Sequence, residues 1–175
     1  MPQNIPPFTE LLSATSFTAL HIEMRDHYTV EEEASDFTRW LETGERDVDP
    51  ASAYWAPWVN KIRDATARGV AVRRVRIVSE PVSDYVRYEH AGTDVNTLSG
   101  EEVRWLPRTR ASELCLPGND FWVFDDRAVR FHYFGGDGSW THDELCEDEN
   151  VVKMCREAFE AVWGRAVPHE DYRID

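Results

Sequence analysis

The stretch Val70-Ala71-Val72-Arg73-Arg74-Val75-Arg76-Ile77-Val78-Ser79-Glu80-Pro81 decides the fold class. Its β-branched residues are interleaved with arginines, a pattern typical of a strand with one face in an apolar core. We therefore predict a core strand over residues 70–78. Ser79 and Glu80 then lie at its carboxyl end, which is where ligands bind in open α/β sheets.

Helical and strand patterns alternate around this strand. Before it we predict a helix over 8–14, a strand over 17–24, a helix over 30–43 opened by a capping box at Thr29 and Glu32, and a helix over 52–68. After it we predict a helix over 81–90 (Val-x-Tyr alternation also permits a strand), a strand over 102–106, a helical turn over 108–114, a hairpin of strands 121–124 and 129–134, and a helix over 150–163. The fold class is therefore α/β (mixed α+β): one domain over 1–175, with its core over 8–172 and a central mixed sheet flanked by helices.

Composition excludes several classes of protein. The 175 residues carry 19 Lys and Arg against 33 Asp and Glu, a net charge of −14 that disfavours wrapping of a nucleic-acid backbone. A content of 42% hydrophobic residues is too high for a disordered chain, and no apolar run reaches the ~20 residues of a membrane span. The opening residues 1–7 lack the pattern of a secretion signal, and three cysteines, an odd number, fit a reducing compartment. We therefore expect a soluble cytoplasmic protein.

The charge is unevenly distributed. Residues 23–50 carry a net −7, whereas residues 61–89 carry seven basic and four acidic side chains, a net +3. Arg76, Ser79 and a helix N-terminus at Pro81 would together suit a phosphate or carboxylate. Alternatively, Ser79 caps the helix and the arginines are solvated or paired. The predicted ligand-binding residues are Arg74, Arg76, Ser79, Tyr85 and Arg108.

Candidates for catalysis and metal binding are fewer. His132 alternates with Phe131 and Tyr133 on a predicted strand, which suits either a structural histidine or a general base facing a cleft. Glu80 and Asp120 are the acid–base candidates beside it. His142, Cys146 and Cys155 lack the spacing of a zinc site, and no glycine-rich phosphate loop occurs, so we expect neither a metal nor a cofactor.

A family resemblance rests on specific motifs. The run Arg74-Val75-Arg76-Ile77-Val78-Ser79-Glu80-Pro81-Val82-Ser83-Asp84-Tyr85-Val86-Arg87-Tyr88-Glu89, together with Trp105-Leu106-Pro107-Arg108 and Asp120-Phe121-Trp122-Val123-Phe124-Asp125-Asp126, resembles an uncharacterised actinobacterial domain of unknown function. The resemblance implies a gene neighbourhood with helix-turn-helix regulators, and hence regulation or signalling. It carries no established activity or catalytic residues.

A second, more distant resemblance concerns the order of elements. Strand, helix, strand and an aromatic hairpin are similar to one half of the phospholipase D-like fold. That family catalyses through an H-x-K pair, in which histidine is the nucleophile and lysine holds the phosphate. His132 is followed by Tyr133 and Phe134, and neither lysine lies near a histidine in the sequence. The resemblance therefore implies a catalytically silent sensor.

Three hypotheses on function follow. The first is a non-catalytic cytoplasmic regulatory module that binds a small anionic ligand or a protein partner. The second is a hydrolase or transferase acting on an anionic substrate, which requires Arg76, Glu80 and His132 to converge in one cleft. The third is an acidic protein that binds a basic DNA-binding regulator through residues 23–50 and 137–150. No membrane partner is expected, and the oligomeric state stays open.

Overall fold

The computed structural model describes residues 5–174 and contains five α-helices and seven strands within that range. In chain order they are α1 (Phe8–Ser13), β1 (Thr18–Glu23), α2 (Ala34–Thr43), α3 (Ala56–Ala67), β2 (Ala71–Val78), α4 (Asp84–Leu98), β3 (Glu102–Pro107), β4 (Asp120–Phe124), β5 (Ala128–Phe134), β6 (Trp140–Cys146), α5 (Glu149–Trp163) and β7 (Val167–Pro168). Short 3-10 turns cover Glu31–Glu33 and Arg108–Ala111.

All seven strands form one sheet in the order β6-β5-β4-β1-β2-β3-β7. β1, β2 and β3 are parallel neighbours, while β4 runs antiparallel to β1 and leads into the antiparallel strands β5 and β6. The mixed sheet with flanking helices confirms the predicted fold class. The predicted strands that became β1, β2, β3, β4 and β5 are all present within a residue or two of their predicted bounds.

The sheet has an apolar face and a polar face. Because side chains alternate along a strand, Ile22 on β1, Val75 on β2 and Phe121 on β4 lie on one face together. Phe159 and Val162 of α5 pack onto that face and form the main core. The residues between them, among them Glu23 of β1 and Arg74 and Arg76 of β2, lie on the opposite face and form the floor of a cleft.

Two predicted helix starts are wrong. α2 begins at Ala34 after a 3-10 turn, and no capping box forms, because Thr29 instead forms a β-bridge with Ser139 and its hydroxyl donates to the Asp137 carbonyl at 2.9 Å. α3 begins at Ala56 instead of residue 52. At α2, the pairing of Thr29 with residues 137–139 therefore overrides the local capping-box pattern.

The start predicted at Pro81 is also wrong. α4 begins at Asp84, and its N-cap is Ser83, whose side chain accepts from the Val86 amide at 3.1 Å. The helix then continues to Leu98, eight residues beyond the predicted end. The helix N-terminus therefore does not lie at Ser79, and the anion site predicted there lacks one of its three components.

Two strands were not predicted. No element was predicted between the hairpin and the last helix, yet β6 forms over Trp140–Cys146 and pairs with β5. β6 is an edge strand with polar side chains on both faces, so it lacks the apolar alternation that identifies a strand. β7 has two residues and pairs with β3.

Two expectations concern the chain's relation to membranes and its N-terminus. No helix within residues 5–174 is long and apolar enough to cross a membrane. The expectation that residues 1–7 form no targeting signal falls partly on residues 1–4, which lie outside the described residues.

Candidate ligand-binding cleft

The polar face of the sheet carries two parallel rows of side chains. Strand register places Arg130, Trp122, His21 and Arg74 in one row across β5, β4, β1 and β2. The second row, two residues along each strand, holds His132, Asp120, Glu23 and Arg76. With strands ~4.8 Å apart, each row spans about 14 Å. The two rows are the floor of a cleft of about 610 Å³.

Glu23 is the centre of the charge network in this floor. Its Oε1 accepts from Arg74 Nη1 at 2.5 Å and its Oε2 accepts from Arg76 Nε at 2.5 Å. Burial alone would raise the pKa of Glu23, but the two guanidinium groups outweigh it and hold the pKa well below its ordinary value. Glu23 is therefore ionised and neutralises charge on both arginines.

Two further glutamates complete the pairing of the arginines. Arg74 Nε donates to Glu101 at 2.7 Å, and Glu101 is 2% exposed. Arg76 Nη2 lies 3.2 Å from Glu89, whose pKa burial raises to about 8 despite the opposing charge of Arg76. Glu23 and Glu101 thus pair with the two arginines, while Glu89 retains its proton at neutral pH.

His21 lies between these charges and the aromatic part of the floor. Its ring stacks on Trp122 with centroids 4.3 Å apart, and its Nε2 lies 3.1 Å from Glu23 Oε1. Burial outweighs the attraction of Glu23 and lowers the pKa of His21 to about 4. The imidazole is therefore neutral at pH 7 and covers part of one face of the Trp122 indole.

Asp120 is buried and linked to the wall of the cleft. Its Oδ1 accepts from the Met24 amide at 2.9 Å, and its Oδ2 accepts a short hydrogen bond from the Tyr28 hydroxyl. Burial raises the pKa of Asp120 to about 6, and the hydrogen bond from Tyr28 partly opposes this rise. Asp120 therefore fixes the Tyr28 ring beside the floor.

The β5 end of the floor is organised by Asp143, which lies on the neighbouring strand β6. Asp143 Oδ1 is 2.7 Å from His132 Nδ1, and Asp143 Oδ2 accepts from Arg130 Nε at 2.8 Å and also from Arg130 Nη2. Trp140 Nε1 donates to the same carboxylate at 2.9 Å. These partners outweigh the effect of burial and lower the pKa of Asp143.

Aromatic side chains form the walls and roof. Trp58 of α3 lies on one side, and Tyr28 and Phe134, with centroids 5.1 Å apart, lie on the other. In the roof the hydroxyls of Tyr54 and Tyr85 donate to the two oxygens of Glu33 at 2.6 and 2.7 Å. The cleft therefore combines flat apolar surfaces with a floor whose buried charges are already paired.

The structure brings together some of the predicted site residues. Five of them line the cleft: Arg74, Arg76, Tyr85, Asp120 and His132. The predicted residues Ser79, Glu80 and Arg108 lie elsewhere.

The strand end around Ser79 is closed by hydrogen bonds. Ser79 Oγ donates to Asp26 at 2.6 Å and accepts from Arg108 Nε at 3.0 Å. Glu80 accepts from the Tyr172 hydroxyl at 2.8 Å. Arg76, Glu80 and His132 therefore do not converge, so the condition set for the enzyme hypothesis fails at Glu80.

Several residues of the cleft were missed by sequence reasoning. The missed residues include His21 and Glu23 on β1 and Trp122 on β4. His21 and Glu23 are two residues apart, as are Asp120 and Trp122, and this spacing places both members of each pair on one face of the sheet. Arg74 and Arg76 have the same spacing, so the sequence pattern could have grouped these residues on the cleft face. Glu101 and Asp143 had no local signal, because their partners lie on other strands.

The described residues form no metal site. Within residues 5–174, no three His, Cys, Asp or Glu side chains are arranged to hold a metal ion. Cys115 is exposed, Cys146 is half-buried and Cys155 is buried, and all three are free thiols.

Comparison with solved structures defines the class of fold. Nuc from Salmonella typhimurium, a phospholipase D family member, superposes with a TM-score of 0.54 at 12% identity, covering 94% of this chain and 88% of that chain. NucT from Helicobacter pylori gives a TM-score of 0.50 at 9% identity, covering 91% and 87%. The chain is thus a mixed α/β domain with a phospholipase D family member among its structural neighbours, and at these identities the likeness concerns the fold alone.

Sequence comparison identifies the family. Residues 6–174 match the family described as Domain of unknown function (DUF6879), and the chain belongs to that family. No curated protein matches the sequence.

Proposed function

We propose that the protein is a non-catalytic cytoplasmic ligand-binding module of the regulatory type, whose cleft receives a small anionic molecule that carries a planar ring. The observation that carries this proposal is the cleft of about 610 Å³, with aromatic walls above a floor of paired charges. Ligand sites are generally concave and mostly apolar, with a few fixed polar groups that set orientation.

The aromatic residues of the cleft indicate where the ring of the ligand binds. His21 stacks on Trp122, and Trp58 lies 6.2 Å from the Trp122 ring and 5.3 Å from the Arg74 guanidinium. A planar ring that stacks there gains dispersion and apolar burial. Since the floor is already hydrogen-bonded, the ligand need not reorganise it.

The absence of an H-x-K triplet supports a binding role. The phospholipase D-like resemblance implies that catalysis needs this pair, and none of the six histidines of the sequence is followed two residues later by lysine. The cleft-facing residues two apart on one strand are instead, in chain order, His21 and Glu23, Arg74 and Arg76, Asp120 and Trp122, and Arg130 and His132.

The test is a binding screen with ring-bearing anions, namely nucleoside monophosphates and aromatic carboxylates. Calorimetry on the wild type should detect at least one ligand, and Trp122→Leu should weaken its binding about tenfold or more. Phe17→Leu is the control, because Phe17 is 74% exposed and lies outside the cleft. Ligands that bind equally well to both variants would contradict the proposal, as would no binding across the screen.

A hydrolase acting on an anionic substrate is the second candidate function. The 2.7 Å contact between His132 and Asp143 favours it, since a carboxylate that orients an imidazole is a common arrangement for a general base. Hydrolysis of bis(4-nitrophenyl) phosphate distinguishes the two candidates. The binding proposal predicts no turnover above that of His132→Gln, and His132-dependent turnover would favour the hydrolase.

The proposed partner is a DNA-binding regulator, as the resemblance to actinobacterial proteins implies. The exposed face of the segment around α2 carries Glu31, Glu32, Glu42 and Glu45. Such a surface attracts a basic partner in a salt-dependent manner. Binding that is insensitive to ionic strength would argue against this partner.

A further inference from the structure

We infer that the anionic group of the ligand is an oxyanion held at the β5 end of the cleft by Arg130 and His132, which Asp143 orients. This inference rests on the proposed function and goes beyond it, because it assigns the oxyanion to residues other than the arginines of β2. Both side chains lie on the cleft face of β5, two residues apart, and both line the cleft.

Each of the two side chains has one unused nitrogen. Arg130 Nη1 is buried and has no hydrogen-bond partner among the described residues. Its other two nitrogens are occupied by Asp143. A buried donor without an acceptor is unfavourable, and an oxyanion is the acceptor that would satisfy it.

His132 presents its second nitrogen in the same region. Nδ1 contacts Asp143 at 2.7 Å, and within residues 5–174 Nε2 makes no hydrogen bond. The contact with Asp143 fixes the ring so that Nε2 is the nitrogen left to contact a ligand. The T-shaped contact with His21, with centroids 5.7 Å apart, fixes the ring from the side.

The charge balance distinguishes the two ends of the floor. At the β2 end, Arg74 and Arg76 are already paired with Glu23 and Glu101. At the β5 end, the single carboxylate of Asp143 serves both Arg130 and His132. The β5 end therefore holds an arginine nitrogen that no carboxylate occupies, Arg130 Nη1, with Asp120 as a second carboxylate close by.

The neighbouring residues give the ligand its orientation. Trp122 lies directly opposite Arg130 in the strand register, so a ring attached to the oxyanion can contact the part of the indole that His21 leaves uncovered. Asp120 lies opposite His132, and its hydrogen bonds to Met24 and Tyr28 occupy both of its oxygens. The fitting class is a small aromatic phosphate or carboxylate.

The experiment compares three probes of similar size: phenyl phosphate, benzoate and neutral benzyl alcohol. Calorimetry and the ¹⁵N shift of His132 Nε2 are measured for the wild type, Arg130→Gln, Arg130→Lys and His132→Gln. Arg127→Gln and His142→Gln are the matched controls, since Arg127 and the His142 side chain are exposed and lie outside the cleft.

We expect the wild type to bind one or both anions at least tenfold more tightly than benzyl alcohol. Arg130→Gln and His132→Gln should remove this preference and leave benzyl alcohol binding unchanged. Phenyl phosphate and benzoate distinguish a phosphate from a carboxylate site.

Two results would overturn the inference. If the anion preference persists in Arg130→Gln and His132→Gln but is lost in Arg74→Lys, the oxyanion lies at the β2 end and the proposed function still stands. If none of the three probes binds or shifts His132, the β5-end inference fails; the proposed function fails separately only if the broader screen of ring-bearing anions is also negative.

Discussion

Glu23 on β1 faces Arg76 on β2 in register, and Glu23 Oε2 accepts a hydrogen bond from Arg76 Nε at 2.5 Å. The other oxygen of the same carboxylate serves Arg74, so one buried glutamate neutralises two buried arginines. Unpaired, each of these charges would be costly to bury. The pairing explains how an arginine-rich strand lies at the centre of the sheet.

Replacing Glu23 with glutamine should therefore destabilise the fold strongly. Removal of one member of a buried ion pair typically costs ~3–5 kcal/mol, because the partner charge stays buried. Urea denaturation of Glu23→Gln measures the loss. The control is Glu102→Gln, whose glutamate is 53% exposed and pairs with Arg73 at 3.0 Å. Exposed pairs contribute about 1 kcal/mol or less, so similar losses in the two variants would refute the assignment.

Glu89 should make the fold less stable at alkaline pH. Its pKa is raised from 4.5 to about 8 in the folded protein, so its contribution to stability is fully present below 4.5 and is lost as the pH rises through 8. Glu89→Gln cannot ionise and escapes this loss. Relative to wild type, the variant should gain more than about 1.4 kcal/mol of unfolding free energy between about pH 5 and pH 9. A difference independent of pH would contradict the raised pKa.

The Tyr28 hydroxyl should hold down the pKa of Asp120. This pKa is raised by burial to about 6, and the hydrogen bond from Tyr28 lowers it. Tyr28→Phe removes the donor and keeps the ring, so the pKa of Asp120 should rise above its wild-type value. Titration of the Asp120 carboxyl carbon by ¹³C NMR measures the change. An unchanged or lower pKa would mean that the hydroxyl does not donate to Asp120.

The gain from alanine at Gly92 should depend on Arg46. The Arg46 guanidinium lies over the Tyr88 ring, 3.7 Å from its centroid, and a Cβ atom at Gly92 would collide with it, so the guanidinium must move. Alanine is favoured over glycine within a helix by ~1 kcal/mol, and Gly92→Ala should lose part of this gain in the wild type. In an Arg46→Ala background the same change should give the larger stabilisation, measured by urea denaturation. An equal effect in both backgrounds would contradict the packing.

The fold was predictable from the sequence where local and tertiary signals agree. β2 is rich in β-branched residues, and Val75 and Ile77 pack in the main core while Arg74 and Arg76 face the cleft, so its bounds were predicted within one residue. The start of α4 was missed because two serines precede it and both suit an N-cap. Ser83 caps the helix, whereas Ser79 is bound to Asp26.

The site was predictable only in part. Arg74, Arg76, Tyr85, Asp120 and His132 were named because their local patterns place them on a strand or helix face. Asp143 could not be predicted from the sequence, because its role depends on β6, a polar edge strand with no apolar periodicity. Glu101 precedes β3 and meets Arg74 only through parallel pairing of β2 and β3.

The central claim is that the floor between β5 and β2 is the ligand site, and chemical-shift mapping with phenyl phosphate tests it most directly. The indole signals of Trp58 and Trp122 and the imidazole signals of His132 should shift together on titration, because all three side chains line the cleft. Shifts concentrated at Ser79 and Arg108 would place the ligand at the strand end and contradict the account.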